Sequence, residues 1–281
     1  MKAMKQSAFL IEGESTDSTV TVLKYEDGQL RQLEDRVAEE VPVAMIYNGI
    51  SHAVMLATPD DLTDFALGFS LCEGILSSAK DLYDMEVVQR VNGIELHVEI
   101  ASENFQHLKE RRRSMTGRTG CGLCGSESLD QAIRIPNPIQ AQDIQFDAEV
   151  IYLAQRNMQA LQALQGRTGA THACAWVSPT GEVLMVREDV GRHNALDKLI
   201  GARARQGQQT PGFVLTSSRA SYEMVQKAAS ANIPMLVAIS APTGLAIRMA
   251  QGCGVTLVGF ARKQQHVVYS CPERLLHKEL A

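Results

Sequence analysis

No apolar run in this 281-residue chain approaches the roughly eighteen residues that a membrane-spanning helix requires, so no membrane association is expected. Residues 1–17 hold only Phe9, Leu10 and Ile11 as an apolar patch, too short for the core of a secretion signal. A cytoplasmic location is the default expectation. Positive charge is not in excess: 27 Lys and Arg stand against 32 Asp and Glu, and the net charge of -5 argues against bulk nucleic-acid binding. Internal repeats and low-complexity tracts are missing too. Six cysteines without an export signal do not suggest a disulfide framework, because a reducing compartment keeps thiols free.

What is present is one close cysteine pair, Cys121 and Cys124, set among Gly117, Gly120, Gly122 and Gly125 and directly after the basic run Lys109 to Arg113. Glycine tolerates positive φ, so such a loop folds tightly and leaves its sulfurs accessible. Nearby guanidinium groups (Arg111, Arg112, Arg113, Arg118) favour thiolate over thiol, and the thiolate is the nucleophile. Taken alone, C-x-x-C spacing admits a structural zinc site, a thioredoxin-like redox pair or a nucleophilic sulfur-carrying loop. Zinc needs four ligands, and the nearest substitute for a second pair is the distant His172 and Cys174; no structural metal is expected. A thioredoxin-like pair would follow the first strand of a βαβ unit, whereas the segment before Cys121 reads as helix or basic loop. Cys72, Cys174 and Cys253 lie in apolar or small-residue surroundings and read as buried small hydrophobes.

Periodicity predicts a hairpin-rich α+β domain over residues 18–125, ending in the cysteine loop. Its hairpins turn at Asp27-Gly28, Asn48-Gly49 and Asn92-Gly93. Thr58, Pro59 and two aspartates predict a helix capped at Thr58 and running to about Cys72, with Leu62, Phe65, Ala66 and Phe69 on its apolar face. A second helix is expected from Ser102 toward Met115. After a proline-bearing linker, a helix over 148–165 opens a second domain, 147–275: a hairpin (173–178 with 182–187), then helices near 192–205, 221–231 and 243–252 alternating with strands 213–216, 235–239 and 255–260. That alternation predicts an α/β sheet covered on both faces. Three strand-to-helix junctions, at Gly191 to His193, Ser217 to Ser221 and Ser240 to Thr243, would form a polar rim suited to anions. Residues 260–265 are expected as a loop at that rim, where Phe260, Arg262 and Lys263 suit a base and its phosphates.

The glycine-flanked C-x-x-C, the run Glu188 to Lys198 and the run Ser217 to Met224 together resemble the FdhD family of formate dehydrogenase accessory sulfurtransferases, from about Val37 to Phe260. The resemblance implies a cytidine-deaminase-like three-layer αβα C-terminal domain. It implies that a cysteine desulfurase supplies sulfur, that Cys121 carries it as a persulfide and that Cys124 serves relay or release. It further implies delivery to bis-molybdopterin guanine dinucleotide, the molybdenum cofactor bound as substrate, before insertion into formate dehydrogenase. Phe260, Ala261, Arg262, Lys263, Gln264 and Gln265 align with the family's cofactor-binding segment, and a homodimer is expected. Base deamination itself is disfavoured, since H-x-E followed by P-C-x-x-C is lacking.

Overall fold

A computed structural model of the chain describes residues 15–113, 134–140, 144–207 and 210–277. The described chain opens on a hairpin, β1 (Asp17–Glu26) with β2 (Gln29–Ala38), that forms a sheet of its own. Four more strands, β3 (Val41–Tyr47), β4 (Ile50–Ala57), β5 (Leu82–Arg90) and β6 (Gly93–Ile100), make a sheet in the order β4-β3-β6-β5. Alternation decides its inner face. Val41, Val43, Met45 and Tyr47 are completely buried, and β6 adds Ile94, Leu96, Val98 and Ile100. The turn between β3 and β4 uses positive φ at both Asn48 (45°) and Gly49 (79°), the geometry that Asn-Gly favours.

Helix α1 (Leu62–Cys72) covers this face with Phe65, Ala66 and Phe69. It starts later than the sequence predicts, after Asp61 in a left-handed conformation (φ 51°), and Thr58 caps nothing. The reason lies across the molecule. The Thr58 N–H donates to Asp189 Oδ2 (3.0 Å), its carbonyl accepts from Lys198 Nζ (3.0 Å) and its hydroxyl accepts from Val190 N–H (3.2 Å), so tertiary partners hold the residue outside the helix. Helix α2 spans Ser102–Arg113.

The larger unit begins with a two-residue strand β7 (Phe146–Asp147), followed by α3 (Glu149–Leu161) and α4 (Ala163–Thr168). The single helix expected over 148–165 is thus broken, at Gln162, where ψ is 76°. Then come β8 (His172–Val177), β9 (Val183–Asp189), α5 (Arg192–Arg205), β10 (Phe213–Thr216), α6 (Tyr222–Ser230), β11 (Met235–Ala238), α7 (Gly244–Cys253), β12 (Thr256–Arg262), β13 (Gln265–Ser270) and a short β14 (Leu275–Leu276) paired with β7. Six of these strands form one sheet in the order β13-β12-β11-β10-β8-β9. β10, β11 and β12 are parallel, while β8 runs against both β10 and β9. Strands β9 to β12 therefore all point their C-terminal ends at one edge. Leu196, Val225 and Met249 of α5, α6 and α7 pack on one face of the sheet, and Ile151, Ala154 and Met158 of α3 on the other.

Strand β13 is absent from the sequence-based expectation, which placed a loop over 260–265. Lys263 (φ 53°) and Gln264 (φ 57°) close a two-residue turn in left-handed geometry without glycine or asparagine, so the hairpin carries no composition signal.

The two units meet where α1 crosses α5. A Cβ on Gly68 would lie 1.7 Å from the carbonyl oxygen of Asp197, and one on Gly201 would lie 1.9 Å from that of Asp64. Backbone packs on backbone here. Charged pairs flank the crossing: Arg187 Nη2 to Asp64 Oδ2 at 2.7 Å and Lys227 Nζ to Asp197 Oδ2 at 2.9 Å. Among the described residues no helix is long and apolar enough to cross a membrane.

Candidate functional site: a cationic rim on the larger sheet

Asp189 ends β9 and organises the first junction. Its Oδ1 accepts from the Gly191 N–H (2.7 Å) and from Asn194 Nδ2 (3.0 Å), which shapes the turn into α5 and presents Arg192 and His193 in the first helical turn. A Cβ at Gly191 would fall 2.9 Å from Asn194 Nδ2, so a larger residue there would push that amide off its hydrogen bonds to Asp189 and Leu56. At the second junction, the Thr216 and Ser218 hydroxyls share a hydrogen bond (3.0 Å), the Ser217 hydroxyl accepts from the Ala173 N–H (2.9 Å), and Arg219 follows before α6. The third junction is tied to the second by Ala220 N–H to Ala241 O (3.3 Å) and Thr243 N–H to Ala220 O (3.1 Å), and Thr243 Oγ1 caps α7 by accepting from Ala246 N–H. Phe260 N–H donates to Ser240 O (3.1 Å), which brings the end of β12 to the same edge.

His172, at the start of β8, pairs with Asp189 in register and so stands at this edge too. Burial holds its imidazole below the ordinary histidine pKa, and the charges of Arg192, His193 and Arg219 push the same way, with Asp189 opposing. Arg192 and His193 from the first junction and Arg219 from the second thus converge on it. A second carboxylate besides Asp189 tempers them: Glu223 Oε2 lies 2.8 Å from His193 Nε2, and this contact holds its carboxyl below the usual range. Arg192 Nε is buried and has no partner among the described residues. With the N-terminal ends of α5, α6 and α7 facing the same edge, the arrangement favours an anionic ligand.

The residues expected at the site fall in different places. Cys121 and Cys124 lie outside the described residues. Phe260 is half-buried at the end of β12, with the Arg262 guanidinium 5.9 Å from its ring centre. Ala261 is completely buried in the core on the α3 side, and Arg262, Lys263, Gln264 and Gln265 are exposed around the turn into β13. Arg219 lies in a junction expected to hold anions, whereas the sequence weighs His172 only as a distant zinc substitute and not as part of the rim. The three junction patterns were the signal, but only the fold shows which of their side chains converge.

The described cysteines are held as thiols. Cys72, Cys174 and Cys253 are buried, and burial raises all three, Cys174 to about 12. Cys271 is also raised by burial.

Over 264 residues the chain is 57% identical to the sulfur carrier protein FdhD of Cupriavidus necator, covering 94% of this chain and 91% of that protein. Over 243 residues it is 56% identical to the sulfur carrier protein FdhD of Bordetella petrii, covering 86% and 87% respectively. A crystal structure from Desulfotalea psychrophila, of a protein named for a formate dehydrogenase accessory role, shares the fold with a TM-score of 0.73 at 23% identity, over 93% of this chain and 100% of that one. Residues 38–276 match the FdhD/NarQ family, and the chain belongs to it.

Proposed function

We propose that this chain is a sulfurtransferase that takes sulfur from a cysteine desulfurase onto Cys121 and delivers it to bis-molybdopterin guanine dinucleotide for formate dehydrogenase. The observation that carries this reading is the state of the other thiols. Four of six cysteines are described, and each has its pKa raised by burial, which leaves Cys121 and Cys124 to supply a thiolate. In the first step the Cys121 thiolate attacks the terminal sulfur of the donor's persulfide; the donor's S–S bond breaks and the donor departs as a thiolate. The oxidation level is conserved, and Cys121 now bears the extra sulfur. Release as sulfide needs two electrons. Attack of the Cys124 thiolate on the inner sulfur of the persulfide supplies them, expelling sulfide and leaving a Cys121–Cys124 disulfide that a thiol reductant reopens.

The rim would hold the substrate's nucleotide portion. Arg192, His193 and Arg219 suit its phosphates, and the aromatic ring of Phe260 suits a stacked base, with Arg262, Lys263, Gln264 and Gln265 beyond it and Ala261 contributing backbone alone. The same reading takes the protein as a cytoplasmic homodimer, divides it at residues 18–125 and 147–275, and treats the larger sheet as deaminase-like. The hairpin β8-β9 followed by three helix-strand units supports that last point.

Incubation with a cysteine desulfurase and cysteine tests the central step by mass spectrometry. Wild type should gain about 32 Da, one sulfur atom, on the peptide containing Cys121. Undiminished loading of Cys121→Ala would overturn the role of that residue.

A further inference from the structure

Three side chains form a hydrogen-bonded chain where the β12-β13 hairpin meets α3 and β14. Tyr152 Oη on α3 lies 2.7 Å from Nδ1 of His266 on β13, and His266 Nε2 lies 2.9 Å from Nε2 of His277, the residue after β14. His266 is half-buried and His277 exposed. The backbone supports this corner weakly. The β12-β13 ladder is interrupted between the pairs Gly259 with Val267 and Arg262 with Gln265, so His266 stands opposite the unpaired Phe260 and Ala261, and Phe260 has a left-handed φ of 53°. β14 is two residues long and pairs with β7, which is no longer. The side-chain bonds of His266 therefore matter for how these elements stay together.

Counting protons shows what the chain can hold. A neutral imidazole carries one N–H, so each ring offers one donor and one acceptor. With both rings neutral, one Nε2 donates and the other accepts, and Tyr152 either donates to His266 Nδ1 or accepts from it. One added proton is accommodated too: an imidazolium at His266 donates through Nε2 to His277 and through Nδ1 to the Tyr152 oxygen, and no bond is lost. A second proton breaks the chain. Both Nε2 atoms would then carry hydrogen and face each other across 2.9 Å with two positive charges. Burial, and after it the charge of His277, hold His266 below the ordinary histidine pKa, so the doubly charged pair forms only in acid. Burial and the nearby Glu149 raise the Tyr152 hydroxyl, which keeps its proton throughout. The other charged side chains on the packed elements are Arg156 on α3, Asp147 on β7, Arg262 and Lys263 at the hairpin turn, and Glu273 and Arg274 before β14. Among the described residues none of them forms an ion pair with either imidazole.

We propose that Tyr152, His266 and His277 form a proton-counting latch that clamps β13 and the residue after β14 to α3 with no added proton or one, and releases them with two. The hairpin tip that it steadies carries residues 260–265, but the latch does not depend on what they bind. Hydrogen exchange of the full-length protein across about pH 7.5 to 5, corrected for the intrinsic pH dependence of exchange, tests it. The reporters are the Ala148 N–H, which donates to Leu276 O at 2.8 Å, and the amides of residues 265–268. Their protection should hold down to about pH 6.5, the ordinary histidine value, and then fall about tenfold per pH unit, as release coupled to one proton requires, while β10 stays protected. In His277→Gln the carboxamide still donates and accepts but takes up no proton, so protection at neutral pH should stay near wild type and the acid loss should vanish. His266→Ala should weaken protection of the same amides at every pH. Wild-type protection that does not change with pH, an acid loss in His277→Gln equal to that of wild type, or full protection in His266→Ala at neutral pH would each overturn the latch.

Discussion

Lys198 reaches Asp189 inside the molecule, with Nζ 2.8 Å from Oδ2 and both side chains completely buried. The same carboxylate accepts from Thr58 and Gly191 N–H groups and from Asn194, so one aspartate joins the small unit, the end of β9 and the start of α5. Two buried charges are tolerated because the remaining lone pairs are filled. Arg192 and His193 are aimed at the rim by this arrangement.

Removing one partner would strand the other. Lys198→Met leaves a buried carboxylate with neutral donors only, and a loss of about 3–5 kcal/mol is expected, a large share of a typical domain's stability. Urea unfolding monitored by circular dichroism measures it. A loss below about 1 kcal/mol would show that the hydrogen bonds of Asp189 alone suffice.

At the crossing of α1 and α5 a methyl group has no space. Gly68→Ala and Gly201→Ala each set a Cβ against a backbone carbonyl that a side-chain rotation cannot clear. Each should cost about 3 kcal/mol, the upper end for overpacking, and lower the melting temperature measurably by calorimetry. Wild-type melting in both variants would mean that the helices separate without penalty.

Thiol labelling should divide the cysteines into two groups. With iodoacetamide at neutral pH, Cys72, Cys174 and Cys253 are expected to stay unmodified in the folded protein and Cys271 to react slowly, because burial raises each thiol. Cys121 and Cys124 should label first. Peptide mapping by mass spectrometry reads the order, and rapid modification of Cys174 would contradict it.

Acid should release the β1-β2 hairpin before the rest unfolds. Asp17 Oδ2 accepts from Arg36 Nε (2.8 Å) on β2 and from Arg167 Nε (2.9 Å) on α4, and these two bonds hold its carboxyl below the ordinary aspartate range. A depressed folded pKa contributes stability that is complete above the unfolded value and fades as pH falls through the folded one. Amide protection over residues 18–26, followed by hydrogen exchange, should therefore drop at acid pH before protection of β8 or β10 does. In Asp17→Asn the hairpin should be weakly protected already at neutral pH.

Local patterns were enough for much of the architecture. The hairpin turning at Asn48-Gly49, the buried face of α1 and the alternation from β8 to β12 follow from turn chemistry, spacing and β-branched content, which act over a few residues. The boundary near Thr58, the break at Gln162 and the turn at Lys263-Gln264 do not. Each is held by contacts or backbone geometry that neighbouring residues do not announce: Thr58 is drawn out of its helix by Asp189 and Lys198, more than a hundred positions away.

The amino-acid order alone singles out Cys121 and Cys124 as the proposed sulfur carriers and names the junctions that bear Arg192, His193 and Arg219, because thiol spacing, glycine content and strand-to-helix turns are local properties. Which side chains meet was decided only by folding. A parallel arrangement of β9 to β12 brings separate junctions to one edge, and burial there sets His172, Arg192 and Arg219 within one another's electric field.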